Sequence, residues 1–297
     1  MSSADAADAA ASFEPHRQFL IGLAYRMLGS RAEADDVAQD AFLRWHTADR
    51  AAVAEPRAFL ARTASRLCLD RMKAASARRE QYVGTWLPEP IVTEPAADGA
   101  LELAEDVSVA LLVTLERLSP LERAAFLLHD VFELDYPAIA EVLDRSEVAC
   151  RQLAARGRDH VRDKRPRFAT TPADSARLAG AFHAAMLAGD LAGIAQLLAE
   201  DAVLYTDGGG KRSAALNPIY GKAKILRFVL GLAGKGQLPA ATAATPVWLN
   251  GVPGFAIRIG DDVETLALEV SDGRIVAMYG VRNPDKLGHL RELPAPG

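Results

Sequence analysis

Between Glu147 and Arg162 the run "EVACRQLAARGRDHVR" places two kinds of side chain on two sides of one helix. With Cys150, Leu153, Ala154, Gly157 and Val161 turned inward, Arg151, Gln152, Ala155, Arg156 and Arg158 face outward. An arginine fork fits the O6 and N7 of guanine, and a glutamine amide fits the N6 and N7 of adenine, so the outward face can read bases in a major groove. The plain alternative is a basic, solvated surface helix. A second basic set, Arg57, Arg62, Arg66, Arg71 and Lys73, lies opposite the apolar residues Phe59, Leu60, Ala64, Leu67, Leu69 and Met72. Such a face is usually just solvated, but it could also track the phosphates of single-stranded DNA. A third set, Asp35, Asp36, Gln39, Asp40 and Arg44, forms a polar, partly acidic edge that suits a protein partner or water equally well. These are chemistries of recognition. No nucleophile–base pair, phosphate loop or metal-ligand spacing occurs, and the six histidines (16, 46, 129, 160, 183, 289) are scattered and read as structural, so no catalytic residue, metal or cofactor is expected.

The elements that must hold these side chains are legible from caps and periods. Leu118-Ser119-Pro120 opens a helix with Ser119 as N-cap and Glu122 closing a capping box. The turn "ELDYP" leads to the short helix "AIAEVL", then to Asp144-Arg145, where glycine is common, and to Ser146 as the next cap. With small Ala140 at the close approach, Tyr136 to Val161 fits a helix-turn-helix. From Phe13 to Arg79 apolar residues recur at three and four, with a break at Gly29-Ser30 and a restart at Glu55-Pro56. After Thr170 two helices give way to period-two runs, "AVLYT", "TPVWL", "GFAIRI", "ETLALEV" and "RIVAMYGV", interrupted by the helix "KAKILRFVLGLAG". Asn250-Gly251, Gly260-Asp261-Asp262 and Asp272-Gly273 mark the turns. The expectation is an α+β domain with an antiparallel sheet.

Composition sets the frame. The 297 residues suit about two or three domains, and 50% hydrophobic with 25% charged is ordinary for a soluble protein. A net charge of −5 argues against nucleic-acid binding until its distribution is read. Gln81 to Glu116 holds seven acidic residues and no Lys or Arg, whereas Arg145 to Arg167 holds eight basic residues against three acidic ones. The small, acidic start "MSSADAADAAAS" reads as a disordered tail rather than a signal peptide, and no apolar run is long enough to span a membrane, so a cytoplasmic chain is expected. Cys68 and Cys150 read as buried, reduced thiols.

Taken together these segments resemble an extracytoplasmic-function sigma factor of the sigma-70 family. "AYRMLGSRAEADDVAQDAFLRWH" (residues 24–46) resembles the helix pair of region 2 that binds the polymerase clamp helices, and "PRAFLARTASRLCLDRMKAASARR" (56–79) the helices that open and read the −10 element. "LSPLERAAFLLHDVFELDYPAIAEVLDRSEVACRQLAARGRDHV" resembles region 4, which reads the −35 element. Arg66 stands where asparagine is usual. Three further motifs, "WLPEP" (Trp86, Leu87, Pro88, Glu89, Pro90), "DGGGK" (Asp207, Gly208, Gly209, Gly210, Lys211) and "NPDKL" (Asn283, Pro284, Asp285, Lys286, Leu287), are similar to those of the sigma-J-like subgroup, which carries a C-terminal SnoaL-like domain.

The resemblance implies a tail (1–12), region 2 (13–80), a linker (81–104), region 4 (105–167), a SnoaL-like, nuclear transport factor 2-like cone-shaped α+β barrel (172–282) and a C-terminal tail (283–297). It implies core RNA polymerase as partner, through the clamp helices of its largest subunit and the flap of the second, together with promoter DNA, no membrane, and a C-terminal domain acting in cis. A one-component helix-turn-helix regulator with a ligand-sensing C-terminal domain is the alternative. A pocket in that domain could be lined by His183, Tyr205, Trp248, Phe255 and Tyr279, which leaves a small-molecule ligand or an isomerase open beside the favoured docking role. Asp207, ahead of three glycines, reads as part of an exposed loop. The apolar pair Trp86-Leu87 between prolines implies that the linker docks on the C-terminal domain around Asp207–Lys211 with "NPDKL" close by, Glu89 facing the amides and Lys211 of that loop.

Overall fold

A computed structural model of the chain describes residues 3–79, 82–94, 108–162, 170–236 and 243–291. Lys164, Arg165, Arg167 and the acidic stretch 98–106 lie outside them. The chain divides into two units, Met1–Gln81 with Leu111–Arg165, and Tyr82–Ala110 with Pro166–Gly297.

The first unit is all helical. Helices α1 (Ser3–Leu28), α2 (Arg31–Thr47) and α3 (Pro56–Arg79) bury Leu20, Leu23, Met27, Val37, Ala41, Trp45, Leu60, Ala64 and Cys68 among themselves. Gly29 ends α1 at φ 70, and the Ser30 hydroxyl caps α2 by accepting the Glu33 N–H at 3.3 Å. The expected disordered tail is instead the first turns of α1. Its alanines favour helix, Ala9 is fully buried, the Trp45 indole donates to the Ser12 hydroxyl at 3.0 Å, and Asp8 pairs with Arg50 at 3.2 Å. Pro15, a residue that suits a helix's first turn, lies well inside α1 and disguises where the helix begins.

From Leu111 the same unit continues with most of α4 (Val109–Leu115), then α5 (Pro120–Phe126), a π-helical turn (Leu127–Val131), α6 (Tyr136–Leu143) and α7 (Glu147–Arg162). The Ser119–Glu122 capping box is formed, and the Ser119 hydroxyl, followed by burial acting the other way, holds the Glu122 carboxyl below its ordinary pKa. Asp144 carries the left-handed turn between α6 and α7 at φ 53, ψ 54, without glycine. Gly157 is where α7 crosses α5, since a Cβ there would lie 2.8 Å from Phe126 Cβ.

The second unit is α+β. One sheet runs in the order β1-β4-β5-β6-β7-β2-β3, built from β1 (Val92–Thr93), β2 (Leu198–Asp207), β3 (Ile219–Tyr220), β4 (Ala244–Leu249), β5 (Val252–Ile259), β6 (Asp262–Ser271) and β7 (Arg274–Val281). Helices α8 (Pro172–Ala188), α9 (Leu191–Leu197) and α10 (Lys222–Gly234) supply Leu178, Phe182 and Ile225 to a core with Leu204, Phe255, Leu268 and Met278. Two features depart from a simple antiparallel sheet. The pair β2–β7 is parallel, because the long crossover between them, including α10, lets the first long strand close on the last. The linker adds β1, which pairs Val92 with Leu249 and Thr93 with Trp248, a strand too short to leave a period in the sequence.

Candidate nucleic-acid interface and linker dock

The α7 helix presents the face expected of it. Cys150, Ala154, Gly157 and Val161 are buried, Leu153 is half-buried, and Arg151, Gln152, Arg156 and Arg158 are exposed. Arg151 donates to Glu147 at 3.0 Å and lies 5.1 Å from the Tyr136 ring centre. Arg158 differs from the others. It donates to Asp130 at 2.6 Å and to the Tyr136 hydroxyl at 3.2 Å, and the Asp130 bond foremost raises its pKa further, so it braces α7. The Arg156 guanidinium stands 3.8 Å from Glu122.

The α3 stripe does not stay one open face. Arg57 stacks 4.7 Å over the Phe19 ring. Arg62 forms an ion pair with Glu141, and Arg66 donates to the carbonyls of Glu141 at 3.2 Å and Val142 at 3.4 Å. These two arginines meet the C-terminal end of α6, where helix carbonyls carry negative partial charge. Arg71 turns the other way, to the Glu33 carbonyl at 3.0 Å and Asp40 at 2.8 Å, and Lys73 stands 3.6 Å from Asp70. On α2, Asp36, Gln39 and Arg44 are exposed, with Asp35 and Asp40 half-buried. Leu43 stands 53% exposed among them.

The linker motif docks within its own unit, at a centre the sequence misread. Asp207 is fully buried at the end of β2, not in an exposed loop. Its Oδ1 accepts the Tyr82 hydroxyl at 2.5 Å and the Gly209 N–H at 3.0 Å. Its Oδ2 accepts the Leu87 N–H at 2.9 Å and the Lys286 ammonium at 2.7 Å. A carboxylate so enclosed is tolerable only because each oxygen is satisfied. Burial, then the Asp207 bond, raises the Tyr82 pKa, so the phenol keeps its proton, and it in turn accepts from Asn283 at 3.0 Å.

Lys286 also donates to the Leu87 carbonyl and lies 4.2 Å from the Trp86 ring centre. Leu87, Pro88, Glu89 and Pro90 are buried. Glu89 faces His289 Nδ1 at 3.2 Å, while the other ring nitrogen of His289 lies 2.9 Å from the Pro90 carbonyl oxygen. Lys211 pairs with Asp285 at 2.6 Å. The expected polarity, acidic linker against basic loop, is therefore reversed at the centre: the loop's acid receives donors from the linker. Further along, Ile91 N–H donates to the fully buried Asn250 at 3.0 Å and Gly251 N–H to the Thr93 hydroxyl at 3.0 Å. Gly209 takes φ 58 with a Cβ position 2.3 Å from Asn283 Nδ2, and at neighbouring Gly208 a Cβ would lie 2.1 Å from the Arg212 carbonyl oxygen.

The five residues expected to line one pocket divide between the two faces of the sheet, Trp248 sharing by register the face of Phe255. Phe255 faces the helices with His183, ring centres 5.2 Å apart. Tyr205 and Tyr279, stacked at 5.3 Å, are one residue out of step with Leu204 and Met278 and so lie on the opposite face of the sheet. Glu269 is on that face too and accepts the Tyr279 hydroxyl at 3.0 Å. Burial raises the Glu269 carboxyl, an effect the Tyr279 bond opposes, and burial foremost raises Tyr279. A buried carboxyl with a raised pKa thus exists, but it is not Asp207 and does not share the face of Phe255. Among the described residues no cluster of metal-ligating side chains occurs, and no helix is long and apolar enough to cross a membrane.

Sequence reasoning missed Tyr82, Asn250, His289 and Arg123. The first three become polar partners only through contacts far along the chain. Arg123, 1% exposed, donates to Leu115 O at 2.8 Å, Met27 O at 2.7 Å and Glu116 at 2.6 Å.

Comparison with known proteins is consistent along the chain. The family profile of Sigma-70 region 2 matches residues 13–78, and that of Sigma-70, region 4 matches residues 108–161. The chain is 40% identical over 289 residues to the ECF RNA polymerase sigma factor SigJ of Mycobacterium tuberculosis, covering 92% of this chain and 91% of that protein. A probable ECF RNA polymerase sigma factor, SigI, of the same organism is 37% identical over 191 residues, 63% of this chain and 66% of its own. The crystal structure of the Mycobacterium tuberculosis extracytoplasmic function sigma factor SigJ superposes with a TM-score of 0.75 at 38% identity, covering 93% of this chain and 97% of that one. Two helical sigma regions joined to a SnoaL-like α+β domain, with this likeness over nearly the whole length, show that the chain belongs to the extracytoplasmic-function sigma factors, the alternative sigma factors with which RNA polymerase recognises promoters.

Proposed function

We propose that α7 reads the −35 element through Arg151 and Gln152, that the basic face of α3 handles the opened −10 element, and that the α2 edge around Asp35, Asp36, Gln39, Asp40 and Arg44 meets the clamp helices of the largest polymerase subunit, with region 4 on the flap of the second. Opening the −10 element takes bases out of their stack at about a few kcal/mol, and single-stranded DNA is then held by cationic side chains. Arg62 and Arg66 have a further role in the free chain, where they hold the end of α6. The protein works in the cytoplasm as a non-enzymatic initiation factor.

The linker is the regulatory element of this reading. The observation that carries it is the gathering of all three subgroup motifs at one buried carboxylate: Leu87 from "WLPEP", Asp207 and Gly209 from "DGGGK", and Asn283 and Lys286 from "NPDKL". A C-terminal domain that grips the segment joining regions 2 and 4 restricts the separations those regions can adopt, and promoter elements have a defined separation. The test is run-off transcription with reconstituted core polymerase. Specific transcripts should require both proteins, and Asp207→Asn should change their yield with the promoter preference intact. Tight promoter binding without polymerase would favour a one-component regulator instead.

A further inference from the structure

Val148 stands out on the recognition helix. Its surface is 65% exposed, the highest among the large apolar side chains of the described residues. It lies in the first turn of α7, just beyond the Ser146 cap, whose hydroxyl accepts the Ala149 N–H at 3.3 Å. Residues 148, 151, 152 and 155 share one row at helical spacing. Val148 therefore belongs to the same outward line as the exposed Arg151 and Gln152, opposite buried Cys150, Ala154, Gly157 and Val161. A β-branched apolar residue gains nothing from water at such a place. Its neighbours are donors suited to base edges, and recognition helices touch bases with their N-terminal residues.

We propose that Val148 is a specificity-determining residue that packs against the C5-methyl group of a thymine in the −35 element. This rests on the reading of α7 as the −35 helix. The methyl is the one apolar feature in the major-groove pattern of a base pair, and valine offers two methyl groups to it with no polar atom to satisfy. Losing one such methyl–methyl contact is worth about fourfold in affinity, by the usual value for a buried methylene.

The experiment uses the full chain with core polymerase on a promoter library randomised through the −35 element, followed by single deoxyuridine replacements in the selected sequence. The wild-type protein should prefer thymine at one position on either strand, and deoxyuridine there should lower output about fourfold. Val148→Ala should lose that preference at that position alone, and should no longer distinguish thymine from deoxyuridine. Val148→Thr, which keeps one methyl group, should retain part of it. Arg151→Ala and Gln152→Ala should relax other positions. An unchanged library profile for Val148→Ala, with altered profiles for Arg151→Ala and Gln152→Ala, overturns the proposal and leaves the −35 reading standing. A uniform loss across all sequences for Val148→Ala also overturns it, and marks the residue as a protein contact. Unchanged profiles for all three variants would remove both.

Discussion

At Asp207 a fully buried carboxylate gathers Tyr82, Leu87, Gly209 and Lys286, whereas at Glu141 a carboxylate whose side chain is 63% exposed meets Arg62. Both contacts join segments far apart in sequence. The first has no water to replace its donors, so removing any member strands a polar group in the interior. The second sits where water and salt compete with the protein, and such pairs contribute little. The linker dock is thus built to persist, and the arginine contact between α3 and α6 is built to be exchanged. That is the asymmetry a promoter-recognition subunit needs if its basic face must leave a protein carbonyl for DNA.

The sharpest way to break this contrast is at the buried acid. Asp207→Ala should cost about 3–5 kcal/mol in denaturant unfolding, because Lys286 is left without its carboxylate in a largely buried site. Loss of under about 1 kcal/mol, the range for an exposed pair, would show that the burial is not felt. Gly209→Ala comes next, at roughly 1–3 kcal/mol, since the residue sits at φ 58 against Asn283. Lys286 over Trp86 should show a coupling of about 0.5–2 kcal/mol in a double-mutant cycle. The Arg62–Glu141 cycle should give about 0–1 kcal/mol and fade with salt. If the α3 face handles DNA as proposed, Arg62→Ala should lower promoter output while Glu141→Ala should not.

A pH profile probes the opposite face of the sheet. The Glu269 carboxyl is raised by burial, so the folded state binds its proton more tightly than the unfolded chain. Stability should therefore fall as pH rises above the unfolded value of about 4.3 towards the raised folded value, and Glu269→Gln should flatten that slope. An identical profile in the variant would mean that Glu269 is ionised at no cost in the fold.

Much of this architecture was legible in the residues. Ser119 and Glu122 announced α5, the inward and outward sets of α7 followed from its 3.6 period, and the turns at Asn250-Gly251 and Asp272-Gly273 take the positive φ that their types imply. Three motifs pointed to a dock. What the residues could not show was polarity and depth. A lone acid before three glycines reads as solvent-facing, because nothing local reveals that Tyr82, more than a hundred residues away, will donate to it. Arg123 was equally opaque, since its acceptors are backbone carbonyls, which every residue carries. The helical start before Phe13 was hidden by Pro15, and β1 by having only two residues.

The claim that the docked linker governs promoter output is tested most directly by run-off transcription with full-length protein and core polymerase, comparing Trp86→Ala, Lys286→Met and the double variant. Trp86 and Lys286 meet at 4.2 Å, so each single change should alter output and the double variant should match either single one. Output unchanged in all three, or two effects that multiply independently, would contradict it.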